Sequence, residues 1–235
     1  MKYLFYILLL SIFSVKISAQ NSKMFIPKLD ENLKSSKNIR AWMKLNCPGK
    51  YYYSECYDPK TKRSFVLKDS ILKINEMIEI IDQGKKINYK LFYEYYPNQN
   101  LKIFKISAKL PEIHNEVDLG IWYHFKENGE LFQTLNIDKP YQNTFLDVIE
   151  KAKKLNLNIK ILRRAYNKNS TFWIIDSPYK FENLDGYLTT VLSDTDFSVL
   201  FEKNFREKEF HNRYAYLCED ECKESYEKFF DIIIN

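Results

Sequence analysis

From Lys50 to about Asp138 the chain is rich in Tyr, Phe, Ile and Leu and is cut by the polar clusters DPKTK, DQGKK, PNQN and ENGE. Between them, KINYKLFYEYY, LKIFKISAKL and GIWYHF show the partial alternation of strands solvated on one face. The pattern predicts an antiparallel meander, with Asn128-Gly129 turning one hairpin because that pair tolerates positive φ at both central positions. The segment ILKINEMIEII, residues 71 to 81, reads as a strand, although its apolar residues at 71, 74, 78 and 81 also fit a helix.

After Lys139-Pro140 the period changes. Phe145, Val148, Ile149, Ala152 and Leu155 recur at helical spacing, with Thr144 placed as N-cap and Asp147 in the first turn, where a carboxylate suits the helix dipole. Glu150, Lys151, Lys153 and Lys154 take the opposite face. NIKILRRAY, STFWIID and GYLTTVL then read as strands between Asn, Asp, Ser and Pro loops. From about Phe201 to Phe230, the aromatics Phe201, Phe205, Tyr226 and Phe229 stand among many charges and predict one or two helices; another helix is expected around Leu29 to Leu45. The expected fold is α+β: an N-terminal helix and antiparallel β-meander over 20–139, then over 140–235 a helix packed on a second small antiparallel sheet and a helical C-terminus. The boundary at Pro140 is soft, since no low-complexity linker marks it.

The first residues, MKYLFYILLLSIFSVKISAQ, carry one Lys at position 2, an apolar run from Tyr3 to Val15 and small residues at 18 and 19. This is the layout of a secretory signal peptide over 1–19, cleaved after Ala19. The run is short of the roughly 20 residues that a membrane-spanning helix needs. The sequence thus predicts a secreted or periplasmic chain without a stable membrane span. Loss of Lys2 and Lys16 with the segment takes the formal charge from +5 to +3, which argues against nucleic acid as a partner. The short basic clusters at 60–63, 84–86 and Arg163-Arg164 read as solvated charge. In an oxidising compartment the 4 cysteines favour disulfides. Three pairings are possible, and the local one is expected: Cys47 with Cys56, where Pro48-Gly49 offers a turn, and Cys218 with Cys222. A zinc site is the alternative, but the spacings contain no CxxC and the histidines are scattered.

Two units, YEYYPNQNLK (93 to 102) and LGIWYHFKENGELF (119 to 132), resemble the MORN-like repeats of the YwqK family of bacterial proteins. Tyr95, Tyr96, Asn98 and Leu101 match the first unit; Gly120, Trp122, Phe125, Asn128, Gly129 and Leu131 match the second. The first turn departs from the pattern with Gln99 in place of Gly. The following block, DKPYQNTFLDVIEKAKKLNL with FWIID and YLTTVLSDTDFSVL, is similar to the helix-then-strands arrangement of exported proteins with PepSY-like domains, although Asp194, Thr195 and Asp196 stand where an Asp-Gly-x-Thr-Gly turn is common. The resemblance implies a β-rich scaffold with an interaction role, and some YwqK-like proteins are labelled antitoxins.

Candidate chemistry is sparse. The chain has no nucleotide-binding glycine motif, no GxSxG and no HExxH, and no cofactor or metal is expected. Of three acidic pairs, Glu116 with Asp118, Glu127 with Glu130 and Asp194 with Asp196, the first and third would each share a face on a strand and could serve acid/base work or a calcium ion, but solvated charge is the reading preferred. HNEVD, 114 to 118, could set His114, Glu116 and Asp118 together as metal ligands, but a polar loop is the reading preferred. The chain has 18 Tyr, 17 Phe and 3 Trp. Runs such as FYEYY put aromatics on both strand faces, and outward Tyr and Trp make contact surfaces for proteins or sugars. The leading expectation is a non-enzymatic binding protein whose surface includes Tyr93, Tyr95, Tyr96 and Trp122, with a protein or glycan of the cell envelope as partner. A hydrolase using Glu116 and Asp118, and an antitoxin or immunity role, are the alternatives.

Overall fold

The computed structural model describes residues 24–47, 53–166, 170–181 and 184–206. The expected signal peptide, Cys218, Cys222 and the helical C-terminus beyond 206 lie outside them. A 3-10 helix, Glu31–Lys34, is capped by the Asp30 side chain and leads into helix α1, Lys37–Asn46, within the predicted N-terminal helical segment. Seven strands follow: β1 Tyr53–Asp58, β2 Arg63–Lys68, β3 Ile71–Asp82, β4 Lys85–Tyr95, β5 Leu101–Lys109, β6 Val117–Phe125 and β7 Leu131–Asn136. Each pairs antiparallel with the next, making one seven-stranded sheet in chain order. Helix α2, Phe145–Lys154, then precedes β8 Ile161–Tyr166, β9 Thr171–Phe181, β10 Leu184–Ser193 and β11 Val199–Arg206, a second antiparallel sheet that is also laid down in order.

The meander buries one face. On β4, Ile87, Tyr89, Leu91, Tyr93 and Tyr95 point into the core, while Lys86, Asn88, Lys90, Phe92 and Glu94 face the other way. The register carries this phase into β3, where Leu72 pairs with Tyr95 and Ile74 with Tyr93. That pairing decides the ambiguous segment 71–81 as a strand. Of its helically spaced apolar set, Ile74 is fully buried and Ile81 is 76 % exposed, so no single helical face is served.

The hairpin at Asn128-Gly129 departs from expectation. Only Gly129 has positive φ, +87°, and its N–H bonds to the Lys126 carbonyl while the Lys126 N–H bonds to that of Glu130. This is a type I turn closed by a left-handed glycine. Positive φ at consecutive turn positions belongs instead to Asp69-Ser70 and Gln83-Gly84.

Helix α2 has a full capping box: the Asp147 N–H donates to Thr144 Oγ1 (3.2 Å) and the Thr144 N–H to Asp147 Oδ2 (2.8 Å). Phe145, Leu146, Val148, Ile149 and Ala152 are buried. One apolar cluster takes in α1, α2, the inner face of the meander and Leu162, Trp173, Ile175 and Leu192 of the second sheet. The expectation of helix from about Phe201 onward is corrected: Phe201 and Phe205 lie on β11, opposite Val191 and Tyr187. A spacing of four residues returns a side chain to the same face of a strand as well as of a helix.

Candidate binding face on the meander

The expected outward tyrosines divide. Tyr93 and Tyr95 are corrected to core residues, each fully buried. The Tyr95 hydroxyl donates to the Leu33 carbonyl (2.8 Å), and the Tyr93 ring packs on Phe104 at 5.0 Å between centroids. Burial holds both phenols well above the ordinary tyrosine range. Tyr96 lies past the end of β4, is half-buried and donates to the Phe125 carbonyl (3.0 Å), with Lys102 Nζ 5.8 Å from its ring centroid.

Trp122 is on the opposite face of the sheet from that core. It is half-buried, its Nε1 donates to the Ile106 carbonyl (3.3 Å), and Lys105 Nζ stands over its ring at 4.4 Å. The register places Phe92 opposite Lys105, Glu94 opposite Ile103, Ile103 opposite His124 and Leu135 opposite Trp122. These residues form a strip of aromatic, aliphatic and basic groups across β4 to β7. Glu94 borders it and receives both Lys102 (2.7 Å) and Lys73 (3.5 Å). Partial burial pushes the Glu94 carboxyl upward, but the Lys102 hydrogen bond and the two cations hold it below the ordinary value.

The acidic pairs fare differently. Glu116 accepts from Ser107 Oγ (2.9 Å) and pairs with Lys90 (3.1 Å), and Ser107 is the register partner of Asp118. Partial desolvation lifts the Asp118 carboxyl; Lys105 opposes the rise, Glu116 adds to it and Arg164 opposes it. Glu127 and Glu130 are exposed at a turn, where Glu130 meets Asn128 and Lys126. The expectation that Asp194 and Asp196 share a strand face is corrected, since they lie in a turn. Asp194 is fully buried and accepts from Trp173 Nε1 (2.7 Å), the Gln142 N–H (2.5 Å) and Thr171 Oγ1 (3.1 Å). Asp196 is exposed and caps Ser198. Among the described residues no three of His, Cys, Asp and Glu are grouped to hold a metal ion.

Arg163 and Arg164 are not solvated charge. Arg163 pairs with the fully buried Asp176. Arg164 stands over the rings of both Tyr141 (4.6 Å) and Trp173 (4.8 Å), which are themselves in tilted contact, and donates to Asp138 (2.6 Å) and the Asp118 carbonyl (3.0 Å). Neighbouring strand residues face opposite ways, so each arginine has its own carboxylate. Asp138 also accepts from the Gly120 N–H (2.8 Å), at a bulge where φ is +70° and a Cβ would sit 2.9 Å from Ile26.

Cys47 and Cys56 are bonded as expected, with sulfurs 2.07 Å and Cα atoms 5.7 Å apart, tying the end of α1 to β1. Comparison of the chain with protein-family models, curated proteins and solved structures found no match.

Proposed function

We propose that the protein is an exported, non-enzymatic binding protein whose contact surface is the solvent side of the meander around Trp122, Phe92 and Lys105, extended by Tyr96. The observation that carries this reading is the half-buried Trp122 with a lysine ammonium 4.4 Å above its ring, on the side of the sheet that the core does not use. Indole and phenyl faces offer area at low entropic cost, and lysine beside them suits a partner with carboxylates. A protein of the cell envelope fits this mixture better than a glycan, because the strip also contains the aliphatic Ile103 and Leu135. The Cys47–Cys56 bond supports the exported part of the reading, since disulfides persist in oxidising compartments. The two MORN-like units supply the turns that bracket Tyr96 and the β6–β7 hairpin, in keeping with an interaction scaffold.

The test is a crosslinked pull-down from native envelope extract, using protein expressed from the full chain with a C-terminal tag, beside Trp122→Ala and Lys105→Glu variants of matching circular dichroism. A near-stoichiometric partner held by the wild type and lost by both variants is expected. Undiminished capture by both would put the contact surface elsewhere. Glu116 and Asp118, brought together across Ser107, support hydrolysis as a second reading. It requires an activity that Glu116→Gln and Asp118→Asn abolish.

A further inference from the structure

The two sheets end in strands that are treated differently. The outer side of β8 is closed by the segment before β6: the Asn115 amide donates to the Leu162 carbonyl (2.7 Å) and accepts from its N–H (2.9 Å), and the His114 N–H reaches the Lys160 carbonyl (2.7 Å). β1 carries Glu55 and Asp58, and β11 carries Glu202 and Lys203; charges of this kind discourage pairing with another chain. β7, LFQTLN, has none. All of its residues are exposed or half-exposed, with Leu131 at 52 % and Phe132 at 69 %. Among the described residues the one backbone hydrogen bond to its outer side comes at its last residue, where the Lys139 N–H donates to the Asn136 carbonyl (3.3 Å); the Thr134 N–H and C=O and the Asn136 N–H have none.

The directions of its peptide groups follow from the ladder. The Ile137 N–H bonds to the Gly120 carbonyl (2.9 Å), so by the two-residue period the N–H and C=O groups of Leu135 and Gln133 face β6, and those of Thr134 and Asn136 face outward. The bulge near Phe125 disturbs only the start of the strand.

We propose that β7 is a dimerisation strand: two copies of this chain pair their β7 strands antiparallel about a two-fold axis, joining the meanders into one continuous sheet. Charge selects a second copy as the occupant. An uncharged strand brings no like charges together when it pairs with itself. The antiparallel sense sets the hairpin of one copy, whose exposed Glu127 is left as its net negative charge once Lys126 pairs with Glu130, beside the exposed Lys139 of the other. Leu131 and Phe132 of both copies are covered in the same step. The inference does not depend on what the Trp122 strip binds.

Sedimentation equilibrium of protein expressed from the full chain, from about 1 to 100 μM, a range that brackets micromolar association, tests the proposal. The wild type is expected to dimerise, Lys139→Glu to weaken association about tenfold, and Thr134→Pro to be monomeric with an unchanged circular dichroism spectrum, because proline is tolerated where the N–H faces outward. A monomeric wild type throughout, or a Thr134→Pro variant that still dimerises, overturns it. Hydrogen exchange on the wild type supplies a check that needs no variant. The Thr134 and Asn136 amides should be slow in the dimer and fast after dilution; slow exchange at every concentration would mean that the same chain covers the strand.

Discussion

Gln99 and Gly129 occupy equivalent places in two matching turns. In each, the residue three before it accepts from its N–H, and an Asn side chain, Asn98 or Asn128, accepts from the N–H two residues on (3.1 and 3.0 Å). The turns also interlock, since Asn98 and Asn100 both donate to the Glu127 carbonyl (2.7 and 2.9 Å). Gln99 therefore holds φ at +79°, a conformation that a side chain makes costly and glycine does not. Gln99→Gly is expected to raise stability by about 0.5–1 kcal/mol, read as a rise in Tm of roughly 2–4 °C; a fall would mean that the glutamine side chain contributes what its backbone loses. Glu94 supplies a pH dependence. Its carboxyl is held below the ordinary 4.5, so its contribution is complete above that value and is lost as pH falls through the lowered one. Denaturant titrations of Glu94→Gln should show a deficit of about 0.5–1 kcal/mol at pH 7 that closes below 4.5. At this scale the inward phase of Tyr93 and Tyr95 was already legible. Lys86, Lys90 and Glu94 mark the even positions of β4 as the solvated ones, leaving the odd positions to the core and Phe92 outside.

Elements were legible where pattern and termini agreed. Helix α2 shows an apolar stripe and both halves of its cap, and it forms as read. β11 was not legible, because two aromatics four residues apart satisfy a strand and a helix alike. Nor was the 194–196 turn: its aspartates look equivalent in sequence, yet one is the polar hub that fastens the loop before α2 to β9. Asp194→Ala leaves the Trp173 indole N–H and the Gln142 N–H without their acceptor. A loss of about 3 kcal/mol in chemical denaturation is expected, and a loss below 1 kcal/mol would show that water replaces the carboxylate. The paired arginines escaped notice for a related reason. Their carboxylates, Asp138 and Asp176, are distant in sequence, and no local periodicity announces them.

Across the molecule, the order of strands could be read from successive alternating segments and turns, whereas the seam between the sheets could not. It is built from Asn115, Asp138, Arg164 and Asp194, polar residues whose partners are set only by the fold. Because one apolar cluster spans both sheets, heat should unfold residues 24–206 in a single cooperative transition, with calorimetric and van't Hoff enthalpies equal at fixed protein concentration. Two resolved transitions would show that the seam transmits too little to couple the sheets. In both sheets every strand after the first pairs with the one immediately before it. A chain threaded N-terminus first through a ribosomal tunnel or a translocation pore can therefore complete each ladder as it emerges, since among the described strands each one after the first of its sheet finds its partner already delivered.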